Sequence, residues 1–177
     1  MMLNRDEPLM NKVSAALGSA LFLVVAPGVI AGFIPWWMSR WERRSLFPDT
    51  LALRIAAVAL IALGLWVLLD SFARFVLQGN GTPAPVFPTR HLVVSGLYRH
   101  VRNPIYLAVV ALILGQSVLF AHRAILIYGL LLWVAFHLFV IAYEEPTLEK
   151  TFGNEYEAYR ANVPRWLPRW RAWNASA

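Results

Sequence analysis

The chain has 177 residues, of which 59% are hydrophobic and 15% are charged, and its net charge is +6. Because soluble domains average roughly 25% charged residues, the composition predicts an integral membrane protein, organised as a single domain over residues 1–177. The sequence has no cysteine, which excludes disulfides, thiolate nucleophiles and thiolate-bound zinc. The basic residues lie between apolar runs, where membrane topology explains them without a nucleic-acid partner.

Four apolar runs predict an all-α membrane protein with about four transmembrane helices, since roughly 20 residues cross a bilayer. The first run follows acidic residues, unlike a signal peptide, and is predicted to be a retained anchor. Within it, Gly28 and Gly32 have the spacing of a close helix contact. The predicted spans cover residues 13–38, 51–77, 104–120 and 125–143.

The polar residues near these runs predict how the helices are arranged. Asp70 and Arg74 lie four residues apart on one helix face, which favours an ion pair near the membrane interface. The third and fourth runs are joined by a short turn and are predicted to form an antiparallel hairpin. Most basic residues outside the runs lie on the side that holds both termini, which predicts cytoplasmic termini. For so short a chain, we expect a bacterial inner membrane.

The stretch SGLYRHVRNPIYL, residues 95–107, leads into the third run. Asn103 is a favoured N-cap residue, and Pro104 suits the first position of a helix. Arg99 and Arg102 lie beside the positive end of this helix, which predicts an anion-binding site. Lipid headgroups are the alternative partners of these arginines.

Two adjacent carboxylates, Glu144 and Glu145, follow the fourth run and precede Pro146, which is predicted to stop the helix. Carboxylates at a helix C-terminus oppose the helix dipole, and near a membrane they need a cationic partner. The predicted hairpin brings Arg99 or Arg102 close to them, and a cationic ligand is the alternative. Both polar clusters are therefore expected to converge on one cytoplasmic pocket.

His137 lies seven residues before Glu144, so an α-helix would place both side chains on one face. An ionisable group inside a span is a candidate for function, but a neutral histidine bonded to a neighbouring helix fits equally well. The sequence lacks the spacing of a metal site, and we expect no metal.

The C-terminal region predicts a short helix followed by an amphipathic interfacial segment rich in tryptophan and arginine. Tyr156, Tyr159 and Val163 share one face of the predicted helix. Membrane anchoring is the first interpretation of this region. A role for Tyr156 or Tyr159 as a lid over the pocket is the second.

The stretch SGLYRHVRNPIYL, followed after a hairpin by YEEPTLEKTFGNEYEAYRANVPRWLP, resembles the integral membrane methyltransferases. This family includes isoprenylcysteine carboxyl methyltransferase and the phospholipid methyltransferases, and the similarity covers about residues 74–168. The resemblance implies S-adenosylmethionine as cofactor and a lipid or lipid-like methyl acceptor. The alternative is a non-catalytic membrane protein that keeps the scaffold and binds a partner.

The resemblance also implies roles for individual residues. Those expected to contact the cofactor are Gln78, His91, Leu92, Val93, Tyr98, Asn103, Pro104, Tyr106 and Glu144. From their charge and position at the predicted pocket, the residues expected to serve catalysis are Arg99, Arg102, His137 and Glu145. Two positions depart from the isoprenylcysteine enzymes. Asn103 replaces a typical histidine, as in the phospholipid enzymes, and Val140 replaces an arginine that helps to hold the substrate carboxylate. These departures favour an acceptor other than isoprenylcysteine.

Overall fold

A computed structural model describes Leu21 and residues 24–74 and 92–174. These residues form helices and no strand, which confirms the prediction of an all-helical protein for the part described. α2 and α4 are long and apolar enough to cross a membrane, while α1 and α3 are shorter apolar helices. The helices are α1 (Val24–Ser39), α2 (Leu51–Arg74), α3 (Pro104–Leu119), α4 (Arg123–Phe152) and α5 (Asn154–Asn162). The predicted spans extend beyond this description at residues 13–20, 22–23 and 75–77.

The predicted stop of the fourth helix at Pro146 is wrong, because α4 runs through Pro146 to Phe152. Residues Val140–Glu144 form a π turn, in which each N–H bonds five residues back instead of four. Pro146 lies in the first turn of the α-helical stretch after this π turn, where its missing N–H is tolerated. Glu144 and Glu145 therefore lie within a continuous helix and not at its C-terminus.

α2 and α3 make the most extensive helix contact among the described residues, and two glycines allow them to approach closely. A Cβ added at Gly64 would lie 3.1 Å from the Ala108 carbonyl oxygen, and one at Gly115 would lie 2.6 Å from Ile61 Cγ1. Among the described residues the predicted close contact of Gly28 and Gly32 is not made, because Gly28 is exposed and a Cβ at Gly32 would meet no described atom within 4 Å. Small residues do mediate helix packing here, but between other helices than predicted.

α1 docks on the bundle through a π turn of its own, Val29–Phe33. A wide turn leaves a backbone carbonyl without its usual helical donor, and other groups bond to it. The Gln116 side chain donates to the Ala31 carbonyl at 2.6 Å, and the Tyr128 hydroxyl donates to the Ile30 carbonyl at 3.0 Å. Polar side chains of α3 and α4 thus fix α1 from inside the bundle.

α3 and α4 form the predicted hairpin, joined by a turn at residues 120–122. Near the other end of the hairpin the Tyr106 and Phe136 rings pack with centroids 4.7 Å apart. The predicted ion pair at the end of α2 is confirmed, with Arg74 Nε 2.8 Å from Asp70 Oδ2. The start of α3 and the end of α4 are consequently neighbours.

α5 folds back against these helix ends after a sharp corner at Gly153. That residue has φ of 52°, a backbone conformation that glycine adopts readily and other residues rarely do. The predicted face of Tyr156, Tyr159 and Val163 is confirmed, because all three are buried together and Leu92 packs against them. The C-terminal tail, residues 163–174, follows α5 and crosses the start of α3.

Candidate functional site

A small cavity lies where α3 begins, α4 passes its π turn and α5 folds back. Its volume is about 20 Å³, which is room for roughly one water molecule. The cavity brings together several residues that the sequence placed in one pocket. Its lining consists of Arg102, Asn103, Val140, Glu144, Glu145, Leu148, Tyr156 and Tyr159.

Two arginines neutralise Glu145. Arg165 donates to it through Nε at 2.6 Å and through Nη2 at 2.8 Å, and Arg102 Nη1 lies 3.0 Å from the same carboxylate. The hydrogen bonds from Arg165 have a second effect, because they raise the pKa of its guanidinium. The predicted contact between Arg102 and the Glu pair is confirmed.

Arg165 is a site residue that the sequence interpretation missed. It lies in the C-terminal tail, 20 positions after Glu145, and no helical spacing connects the two. One signal did point to it: adjacent carboxylates near a membrane require cationic partners, and Arg165 is among the basic residues that follow them.

Glu144 has a different environment from its neighbour. It accepts a hydrogen bond from the Tyr106 hydroxyl at 2.6 Å and forms no ion pair with any of the described residues. This bond brings together Tyr106 and Glu144, two residues that the resemblance assigns to the cofactor. A partly buried carboxylate in a cavity wall, held by one neutral donor, is able to bind a cation.

Arg102 has a donor without a partner. Its side chain is 9% exposed, and its Nε is buried with no hydrogen bond among the described groups. The other end of the guanidinium contacts Glu145 and donates to the Tyr156 hydroxyl at 3.0 Å. Because an unpaired buried donor is costly, this nitrogen is suited to an anionic or carbonyl group of a ligand.

The C-terminal tail is bound to the segment before α3 by backbone hydrogen bonds. Arg102 N donates to the Pro164 carbonyl, Arg169 N donates to the His100 carbonyl, and Trp173 N donates to the Arg99 carbonyl, each at 3.0 Å. The Arg99 side chain also bonds to the tail, at the Trp173 carbonyl. The expectation that Arg99 faces the Glu pair is therefore wrong.

Asn103 and Pro104 mark the start of α3 as predicted, with Pro104 at the first helical position. The side chain of Asn103 makes no capping bond, however, and donates instead to the Arg165 carbonyl at 3.2 Å. A contact with the distant tail has replaced the local cap that Asn usually makes.

His137 does not share the cavity face with Glu144, contrary to the prediction. The intervening π turn adds one residue to the helix, which shifts its phase by roughly 100°. His137 lies instead among aromatic rings, where its Nδ1 accepts a hydrogen bond from Trp166 Nε1 at 2.9 Å and its ring stacks on Trp133. It is absent from the cavity lining.

Two tyrosines of α5, Tyr156 and Tyr159, line the cavity, and Tyr159 connects them to Tyr98 in the segment before α3. The Tyr159 hydroxyl donates to the Tyr98 carbonyl at 2.7 Å. Burial raises the pKa of Tyr98 well above its usual value, and burial also raises the pKa of Tyr156 and Tyr159. All three are therefore neutral at physiological pH and act as hydrogen-bonding groups rather than as bases.

The remaining predicted cofactor contacts are only partly within the described residues. Leu92 packs against the Tyr156 and Tyr159 cluster, and Val93 is buried. Gln78 and His91 lie outside the described residues. Within the described part of the chain, no group of three or more His, Asp or Glu side chains could hold a metal ion.

The described helices form an apolar bundle with a cavity lined by carboxylates and an arginine at one end. The chain belongs to the phospholipid methyltransferase family, whose family model matches residues 53–155. It is also similar to protein-S-isoprenylcysteine O-methyltransferase of Schizosaccharomyces pombe, with 36% identity over 78 residues. That similarity covers 44% of this chain and 33% of the relative, so the chain matches about a third of the relative's length. The resemblance seen in the sequence is thereby confirmed.

Proposed function

We propose that this membrane protein transfers a methyl group from S-adenosylmethionine to a lipid or lipid-like acceptor at the cytoplasmic membrane face. Membership of the methyltransferase family supports the reaction class. The observation that carries the proposal is the unequal environment of the two adjacent carboxylates. Glu145 is neutralised by two arginines, which leaves Glu144 as the carboxylate able to receive a cation in the cavity.

The charged groups of the site are chemically matched to this cofactor, which carries a sulfonium, an ammonium and a carboxylate. Glu144 would bind the cationic part, and the unpartnered Nε of Arg102 would donate to the carboxylate. The cavity of about 20 Å³ is far smaller than ligand pockets, which occupy roughly 300–1,000 Å³. Binding would therefore require α5 and the tail to move away from α4, and the corner at Gly153 is a natural place for that motion.

The protein's own groups would supply positioning and a dry site. S-adenosylmethionine supplies, when bound, a methyl group already activated by the sulfonium. Tyr106 holds the Glu144 carboxylate in place, and Glu145 holds the Arg102 guanidinium. Alignment of two reactants without covalent help contributes up to about 7–11 kcal/mol to lowering a barrier.

Two of the four residues expected to serve catalysis would have a positioning role, namely Arg102 and Glu145. We assign no direct contact with the reactants to Arg99 or His137, because their side chains bond to Trp173 and Trp166. An acceptor that must lose a proton would have to give it to Glu144, to water or to its own phosphate.

Val140 supports an acceptor without a carboxylate at that position. It lines the cavity and is 1% exposed, where the resemblance to isoprenylcysteine enzymes would place an arginine. An apolar wall gives no compensation to a substrate carboxylate, so a phospholipid amine or another lipid group is the better match. The proposal includes four spans with both termini in the cytoplasm of a bacterial inner membrane, on the distribution of basic residues.

Cofactor binding is the first test. Titration of the purified protein in detergent with S-adenosylhomocysteine should release heat in a calorimeter, and Glu144→Gln should abolish it by removing the charge at constant size. Glu149→Gln is the matched control, because Glu149 pairs with Arg160 on an exposed surface. If the wild type binds nothing, the chain is a non-catalytic scaffold and the proposal fails.

The acceptor is the second test. Membranes incubated with cofactor labelled in its methyl group should carry the label in the lipid extract. A prenylated cysteine analogue should remain unlabelled with the wild type and gain activity with Val140→Arg. Label in the analogue alone would show that Val140 does not determine the acceptor.

A further inference from the structure

The C-terminal tail reaches the apolar side of α4. The Trp166 indole donates to His137 and packs 6.3 Å from the Trp133 ring, measured between centroids. His137 lies eight positions before Glu145, which corresponds to about 12 Å of helix. The Trp166 side chain therefore reaches from the cavity end of the molecule onto the outer surface of α4.

Two large apolar side chains that follow Trp166 are almost fully exposed. Leu167 is 80% exposed and Trp170 is 99% exposed. Leu130 and Val134 share the face of α4 that holds Trp166, and both are exposed as well. The outer surface of a membrane span faces lipid, and Trp166 makes the tail a continuation of that surface.

The charges of the tail complement an anionic surface. Residues 158–174 contain four arginines and no acidic residue. Arg165 pairs with Glu145 and Arg160 pairs with Glu149, whereas Arg169 and Arg171 form no ion pair with the described residues. Two arginines beside an exposed leucine and tryptophan match the composition of segments that lie in the membrane interface.

We propose that residues 166–171, which we name the tail wedge, insert into the boundary between the headgroups and acyl chains of the membrane. Leu167 and Trp170 lie in lipid, and Arg169 and Arg171 contact anionic headgroups. The family model ends at residue 155, before the wedge begins. The wedge is a membrane-binding surface separate from the methyl-transfer site, and it fixes the segment that covers the cavity against the bilayer.

The absence of cysteine makes this surface directly testable. Single variants Leu167→Cys and Trp170→Cys, in the full chain, are labelled with an environment-sensitive fluorophore. They are reconstituted in vesicles of phosphatidylcholine and phosphatidylglycerol. Both labels should show blue-shifted emission and should be quenched by nitroxide-bearing lipids but not by aqueous iodide. Glu157→Cys, on the exposed side of α5, is the matched control and should show the opposite pattern.

Two outcomes would overturn the proposal. Quenching of both wedge labels by iodide to the extent seen at position 157 would place the wedge in water. Shielding from both quenchers, with crosslinks between chains at position 170, would mean that a second copy covers it. Replacing phosphatidylglycerol by phosphatidylcholine should reduce the blue shift, and Arg169→Gln with Arg171→Gln should remove this dependence. These measurements do not involve the cofactor, so their failure is distinguishable from failure of the proposed function.

Discussion

The contact between α2 and α3 and the cavity end of the molecule are held together in opposite ways. At Gly64 and Gly115 the helices approach because side-chain atoms are missing. At the cavity end, Arg102, Glu145 and Arg165 join three separate segments because specific charged atoms are present. A close-packed helix pair tolerates no added volume, whereas a charge network tolerates no missing partner.

The difference indicates which end of this helical bundle can open without loss of the helix packing. Lipid is as apolar as the helix surfaces, so a bundle depends on close van der Waals packing. The cavity end depends instead on a few polar bonds from a tail that crosses the start of α3. If the proposed function is right, a ligand that competes for these polar groups should open the cavity end and leave the α2 and α3 contact in place.

Removing the shared carboxylate should have the largest effect. Glu145→Ala leaves the buried Arg102 guanidinium without its acidic partner, and losing one member of a buried ion pair costs about 3–5 kcal/mol. Hydrogen exchange should show increased opening of the tail amides, Trp173 included, while the amides of α2 and α3 keep their protection.

Glu149→Ala is the control for that experiment, because its pair with Arg160 has both side chains 41% exposed. An exposed pair contributes at most about 1 kcal/mol. Equal loss of protection throughout the bundle in Glu145→Ala would contradict the separation of the two regions.

Added volume in the bundle should have an intermediate effect. The Cβ of Gly115→Ala would lie 2.6 Å from Ile61 Cγ1 and 3.1 Å from the Ala57 carbonyl oxygen. Overpacking of this kind costs about 1–3 kcal/mol, measurable as a lower thermal midpoint in detergent. Gly32→Ala adds the same methyl group where nothing lies within 4 Å, and it should leave the midpoint unchanged or raise it.

A neutral hydrogen bond at the cavity end should have the smallest effect of the three. Tyr159→Phe removes the hydroxyl that donates to the Tyr98 carbonyl at 2.7 Å. Loss of this one neutral hydrogen bond should cost about 0.5–1.5 kcal/mol. Tyr143→Phe, at a side chain that is half exposed, should cost nothing measurable in the same unfolding experiment. A larger loss from Tyr159→Phe than from Glu145→Ala would show that neutral hydrogen bonds, and not charge, hold this end together.

Local patterns predicted much of the fold. The spacing of Asp70 and Arg74 predicted their ion pair, and the short turn between two apolar runs predicted the hairpin. The start of α3 at Pro104 followed from the same local physics. Each of these features depends on residues close together in the chain, where helix geometry fixes the distances.

The sequence did not predict features that depend on one extra residue or on distant partners. A π turn has the same composition as an α-helix, so the phase shift between His137 and Glu144 left no sign in the pattern. The role of Arg165 depends on a tail that folds back across the start of α3. Asn103 is the clearest case. Asparagine is a typical helix N-cap residue, but this side chain donates a hydrogen bond to the Arg165 carbonyl instead. Of the candidate site, the sequence predicted Arg102, Glu144 and Glu145 as neighbours, and it misplaced Arg99 and His137.

The π turn at Val140–Glu144 rotates the second half of α4 about the helix axis without interrupting the helix. Before the turn, His137 and Trp133 face outward to the tail. After the turn, Glu144 and Glu145 face inward to the cavity. Deleting a single residue in this turn would restore an even pitch and rotate the whole downstream end by roughly 100°. The extra residue therefore sets the angle between the outward-facing and cavity-facing halves of the helix. Its removal would change this angle without changing any charged side chain.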